Sequence, residues 1–123
     1  MHADFSDPVK MATSTRMPTA DDMAAMKSSY ERLSPHPEHF DDFLATLSAS
    51  QEDLKGWSDE QLGAIRVPVL FIIGDHDFTT IEHAGLMLDR TPGSQLLVLA
   101  GTTHMQATHQ VDVLDPALAA FLN

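Results

Sequence analysis

An α/β fold, with helices in front of a βαβ unit, is what this 123-residue sequence predicts. Three observations carry that expectation. Two short runs, Val67 to Ile73 and Gln95 to Ala100, are apolar without alternation and stop at Gly74 and Gly101, the pattern of parallel strands covered on both faces. A stretch of helical spacing separates them, so strand, helix and strand follow within about 30 residues as a right-handed crossover requires. Two further helical stripes precede the first strand.

Along the chain, residues Asp4 to Thr19 are rich in Pro and small polar side chains without periodicity, which reads residues 1–18 as a loop or arm. Thr19 and Asp22 make a capping-box start, and Met23, Met26, Tyr30 and Leu33 recur at helical spacing, giving a helix that ends near Ser34. Pro35 and Pro37 break it. Pro37 suits the first position of a second helix with the stripe Phe40, Phe43, Leu44 and Leu47, and Glu38, Asp41 and Asp42 favour its positive N-terminus. Both stripes read as packing faces in which Met fills gaps.

After a loop around Gly56 and Trp57, Asp59 to Ile65 reads as a short helix leading into the first strand. Thr79 and Glu82 form a capping box for a helix running to about Arg90, stopped by Pro92 and Gly93. Asp115 and Pro116 read as cap and first residue of a last helix bearing Leu118, Phe121 and Leu122. The organisation is thus an arm over 1–18, a helical segment over 19–66 and a βαβα part over 67–123.

Bulk composition excludes several functions. Asp and Glu outnumber Lys and Arg 18 to 7, and the net charge of -11 repels phosphate backbones and anionic membrane surfaces, so no nucleic acid and no membrane is expected as partner. The start lacks a basic segment followed by an apolar one, and no apolar run approaches a membrane span. Cysteine is absent, which removes disulfides, thiolate metal sites and cysteine nucleophiles and fits a reducing, cytoplasmic setting.

Chemistry is expected where strands end, because open α/β sheets collect ligands beyond the carboxyl ends of their strands. Two loops lie there: Gly74, Asp75, His76, Asp77 and Gly101, Thr102, Thr103, His104. Neighbouring parallel strands end side by side, so an acid from one and a histidine from the next can meet. An aspartate accepting from an imidazole fixes its tautomer and stabilises its protonated form, as general-base work requires. Asp is also common in strand-to-helix turns, so these loops can be merely structural. A metal held by His76, His104, His109, Asp75 and Asp77 is the weaker alternative, since no helix-borne histidine pair of matching spacing exists. His36, His39 and His83 read as solvated or capping, and His2 belongs to the chain end. No metal and no cofactor is expected.

The segments Arg32 to Phe40, Val67 to Asp77, Glu82 to Ala84 and Leu99 to His104 resemble the latter part of α/β-hydrolases, over about Thr19 to Leu122. The resemblance implies a serine hydrolase of ester-like bonds, with Asp77 as triad acid, His104 as base and Thr19 to Leu47 as cap helices. The order Asp then His agrees with that family. Its Gly-x-Ser-x-Gly elbow and oxyanion loop have no counterpart in the 123 residues, and none of Ser6, Ser14, Ser28, Ser29, Ser34, Ser48, Ser50, Ser58 or Ser94 sits in such a turn. The chain therefore reads as a truncated, C-terminal hydrolase portion, inactive by itself. The alternative is a non-catalytic module that self-associates or binds a partner. A two-fold homodimer is expected through the open edge of the first strand, with a complementary chain carrying the nucleophile as the other partner.

Overall fold

A computed structural model describes residues 15–52 and 56–123, so most of the expected arm over 1–18 and His2 lie outside the described residues. The fold is α/β, with two parallel strands and a larger share of helix. It divides into two compact units, Pro18–Gly56 and the remainder.

The first unit is a helix pair. Helix α1, Ala20–Leu33, opens on a complete capping box: the Thr19 hydroxyl accepts from the Asp22 amide while the Asp22 carboxylate takes the Thr19 amide at 2.8 Å. Those Thr19 bonds hold the Asp22 carboxyl below its ordinary range. Ser34 ends α1 in extended backbone, as its place before Pro35 demands. The second helix does not start at Pro37 as an α-helix. Pro37–His39 is one turn of 3-10 helix, after which α2 runs over Phe40–Glu52. Inside this unit Phe40 is buried, edge-on to Tyr30 at 5.4 Å, and Tyr30 stacks on Phe43 at 5.4 Å. The predicted stripes therefore do meet, through Tyr30, Phe40 and Phe43.

The second unit begins with α3, Asp59–Gly63, capped by a Ser58 and Gln61 box that the sequence reading left unnamed. Strand β1 is Leu70–Gly74, helix α4 Ile81–Arg90, strand β2 Gln95–Leu99 and the last helix α5 Val111–Leu122. Strands β1 and β2 pair in parallel, from Leu70 opposite Gln95 to Gly74 opposite Leu99. Helix α4 packs on both strands and on α3, and Arg90 Nε meets the Asp59 carboxylate at 2.6 Å.

Four expectations need correction here. Strand β1 starts at Leu70 rather than Val67, because Pro68 has no amide to donate and the ladder begins only where the Gln95 amide reaches the Val69 carbonyl at 2.9 Å. The cap of α4 is Thr80, whose hydroxyl accepts from the His83 amide at 3.1 Å, because Thr79 is drawn back by the Asp77 carboxylate. Helix α5 starts at Val111, not Pro116: the Val113 and Leu114 amides already bond the Gln110 carbonyl at 3.0 and 2.9 Å, leaving Pro116 inside the helix. Finally, the sheet is only half covered. Leu70, Phe71, Ile72, Leu96 and Leu97 are partly exposed, Val98 is exposed, and in this unit the buried apolar side chains are Leu62, Ile73, Ala84 and Leu99. Among the described residues no helix is long and apolar enough to cross a membrane.

Candidate active site

The acid and histidine loops leave β1 and β2 side by side and then continue to pair. Beyond the last ladder rung, the Asp75 amide bonds the Leu99 carbonyl at 3.0 Å and the His76 amide bonds the Thr102 carbonyl at 3.1 Å. That close approach needs a bare backbone at Gly74, where an added Cβ would stand 2.6 Å from the Thr102 carbonyl carbon and nearer still to its oxygen. The second loop turns on Gly101, whose φ of 63° suits a residue without a side chain.

A second tie crosses the loops in the other direction. The Asp75 carboxylate accepts the Thr102 amide at 3.1 Å. Amide bonds from Gly101 and Thr102 hold the Asp75 carboxyl below the ordinary aspartate range, because they favour its charged form. Thr102 is fully buried and spends its hydroxyl on the Ala100 carbonyl at 3.0 Å. The histidine loop is thus fastened on both sides two residues before His104.

Asp77 is 3% exposed, and its carboxylate is shared between two donors. The Thr79 amide bonds Oδ1 at 2.9 Å, and His104 Nδ1 lies 3.0 Å from Oδ2 and 3.2 Å from Oδ1. An ionised carboxylate only accepts, so the proton between them sits on Nδ1 and the imidazole donates. Arg16 donates to the Asp77 backbone carbonyl at 3.4 Å. Phe78 lies against the imidazole with ring centres 4.3 Å apart. Half the His104 side chain remains open, and it borders a cavity of about 340 Å³ lined by Ile72, Ile73, Asp77, Thr79, Ala107, Thr108 and Leu114. A buried acid bonded to a half-open imidazole beside an apolar hollow is an arrangement in which the carboxylate orients the ring and stabilises its protonated form, so that the ring can take up a proton.

The remaining candidates are not drawn in. His76 is exposed, 3.6 Å from the Asp75 carboxylate, and His109 is exposed on a 3-10 turn, Ala107–His109. Among the described residues these loops bring no trio of histidine and carboxylate ligand atoms to metal-binding separation; the trio that does converge is His36, Glu38 and His39 in the helix pair. His36 and His39 are exposed, and His36 makes no side-chain cap bond. His83 is half-buried, and its Nδ1 is buried without a hydrogen-bond partner. Asp75 and Thr102 are the positions whose part the sequence reading missed. Their signal was the matched spacing of Gly74, Asp75, Asp77 and Gly101, Thr102, His104 after two predicted adjacent strands.

No protein family model matches the chain, and no curated protein does. Among solved structures it is similar to carboxylesterase CesB from Bacillus subtilis, at 25% identity and a TM-score of 0.45, over 58% of this chain and 29% of that one. It is also similar to Est816, an N-acyl homoserine lactone degrading enzyme, at 18% identity and a TM-score of 0.46, over 85% of this chain and 52% of that one. The chain spans about half or less of the length of either.

Proposed function

We propose that this chain supplies the acid and base of a serine-hydrolase site for ester-like bonds, Asp77 orienting His104, with the nucleophile and oxyanion donors coming from polypeptide outside these 123 residues. The observation that supports this is the 3.0 Å bond from His104 Nδ1 to the buried Asp77 carboxylate beside an apolar hollow. In the proposed reaction the serine hydroxyl attacks the acyl carbon while His104 Nε2 takes its proton. Asp77 stabilises the resulting imidazolium, and His104 returns the proton to the leaving alcohol as the carbon–oxygen bond breaks. Water then repeats the cycle to release the acid.

By itself the chain should turn over activated acyl esters no faster than its His104→Ala variant, since nucleophile and oxyanion donors provide most of a triad enzyme's rate. Joined to a segment that carries a Gly-x-Ser-x-Gly elbow, it should label with a fluorophosphonate probe and hydrolyse such esters. There Asp77→Asn should lower kcat by about 10⁴-fold, the loss seen when a triad histidine loses its orienting acid. Robust hydrolysis by the isolated chain that His104→Ala abolishes would sink the incomplete-site reading. Labelling indifferent to both Asp77 and His104 would sink the catalytic one.

The half-covered sheet favours a second reading, a self-associating module. Leu70, Phe71 and Ile72 keep exposed area, and Val67, three residues before that strand, stands 67% exposed. A two-fold homodimer through the free edge of β1, antiparallel at the junction, would cover them. Light scattering separates the outcomes: a dimer supports this reading, and a stable monomer of 13.5 kDa rejects it. A cytoplasmic setting fits the cysteine-free composition under either reading.

A further inference from the structure

The helix pair carries a chemistry-bearing cluster that the acid and histidine loops do not use. Glu38 and His39 lie on the 3-10 turn between α1 and α2 and His36 directly precedes it, and each presents one ligand atom within 4.8 Å of the other two. Glu38 Oε1 is central, 3.6 Å from His36 Nδ1 and 3.5 Å from His39 Nε2. An ion bonded at about 2.0 to 2.2 Å to nitrogen and carboxylate oxygen holds neighbouring ligand atoms at such separations once the exposed imidazoles turn so that both in-plane nitrogen lone pairs meet at it.

The turn is preorganised. Pro37 fixes its first backbone angle, the Ser34 hydroxyl accepts the His36 amide at 3.1 Å, and the His39 amide closes the turn on the His36 carbonyl at 3.1 Å. The imidazoles are stacked, with ring centres 5.3 Å apart and planes 19° from parallel, so the two rings share one side of the turn. Two protonated imidazoles stacked this way would repel one another. Two neutral imidazoles and a carboxylate around a divalent ion satisfy all three groups, in a chain whose net charge of -11 favours cations.

We propose that His36, Glu38 and His39 form a site for a borderline divalent transition-metal ion, Zn²⁺ being the reference case, with water in the remaining positions. Two nitrogens and one oxygen favour Zn²⁺, Ni²⁺ or Cu²⁺ over Mg²⁺ and Ca²⁺, which call for all-oxygen shells. The ion would clamp the junction of α1 and α2, since His36 lies before the turn and His39 directly precedes α2.

The test is calorimetric titration of the metal-stripped chain with Zn²⁺. One ion should bind per chain, Mg²⁺ and Ca²⁺ should not compete, and Zn²⁺ should raise the Tm. His36→Asn, His39→Asn and Glu38→Gln alter exposed side chains and should leave the circular dichroism unchanged. Each should weaken Zn²⁺ binding at least tenfold, the low end of what removing even an outer-shell partner of a metal costs. His2→Asn and His76→Asn should bind as the parent does. Zn²⁺ uptake that survives His36→Asn with His39→Asn, or that is lost with His2 or His76, overturns the proposal, as does effective competition by Mg²⁺ or Ca²⁺.

Discussion

The two strand-end loops and the helix pair show two ways of holding a chain in place. In the loops, groups about 27 residues apart in sequence are fastened by polar ties: Asp75 to Thr102, and Asp77 to His104. The most deeply buried side chains there are polar, Asp77 and Thr102. The helix pair is held by an aromatic cluster of Tyr30, Phe40 and Phe43, with Lys27 over the Phe40 ring at 5.5 Å, and its hydrogen bonds are local. Directional bonds fix a position, whereas apolar contacts supply cohesion and tolerate small rearrangements. Two side chains from distant parts of the sequence are fixed relative to one another in the loops by such directional bonds.

The contrast is broken most severely at Phe40. Replacing this buried ring by Ala in Phe40→Ala should cost about 3 to 5 kcal/mol, with the loss confined to the helix pair. Hydrogen exchange should report faster opening over Ala20–Leu33 and Phe40–Glu52 and unchanged protection at Asp75 and His76. Equal loss of protection in the loops would show that the two regions are one cooperative body.

Next in size is Gly74→Ala. The new Cβ would collide with the Thr102 carbonyl, so the loops must separate or the backbone must strain, at about 1 to 3 kcal/mol as in overpacked interiors. Loss of the His104 ring contact with Asp77, read by imidazole NMR shifts, should accompany it. Retained stability and an unshifted His104 signal would mean that the loops are less tightly apposed than their hydrogen bonds indicate.

Much of this arrangement was legible in the residues. The α1 cap stood out because Thr19 and Asp22 satisfy each other locally, and the two strands because their apolar runs end in Gly-Asp and Gly-Thr turns. Asp77 and His104 were readable for the same reason: a parallel pair brings matching strand ends together. Errors fell where one local bond displaced another. Asp77 claims the Thr79 amide, and so the α4 cap passes to Thr80. Pro116 obeys the preference for helix starts only until Gln110 is seen to start the helix earlier. The convergence of His36, Glu38 and His39 was hidden because it depends on one turn being 3-10 rather than α.

Thr80→Ala sharpens that lesson. Removing the hydroxyl that accepts the His83 amide should cost about 1 kcal/mol, the usual worth of an N-cap, while Thr79→Ala should cost less because the bond there is made by the Thr79 backbone. Urea midpoints of the two variants decide between the two candidate caps.

The smallest effect concerns Asp75 and is read against pH. Its carboxyl is held below the ordinary aspartate range by the Gly101 and Thr102 amides, so the folded state favours the charged form more than the unfolded state does. A group depressed in this way contributes stability that is complete above its unfolded pKa and is lost as pH falls through its folded pKa. The relevant window lies below the ordinary aspartate value of about 3.9. In Asp75→Asn the amide oxygen can still accept the Thr102 N–H, but it carries no charge and does not titrate. The variant should therefore be slightly less stable than the parent near neutral pH, and the difference should shrink as the medium is acidified through that window. Because Asp75 is partly open to solvent, the gap should also narrow in high salt. Parallel acid-unfolding curves for the two proteins, with no convergence at low pH, would show that the Asp75 tie works through its geometry alone and that its charge adds nothing to the fastening of the histidine loop.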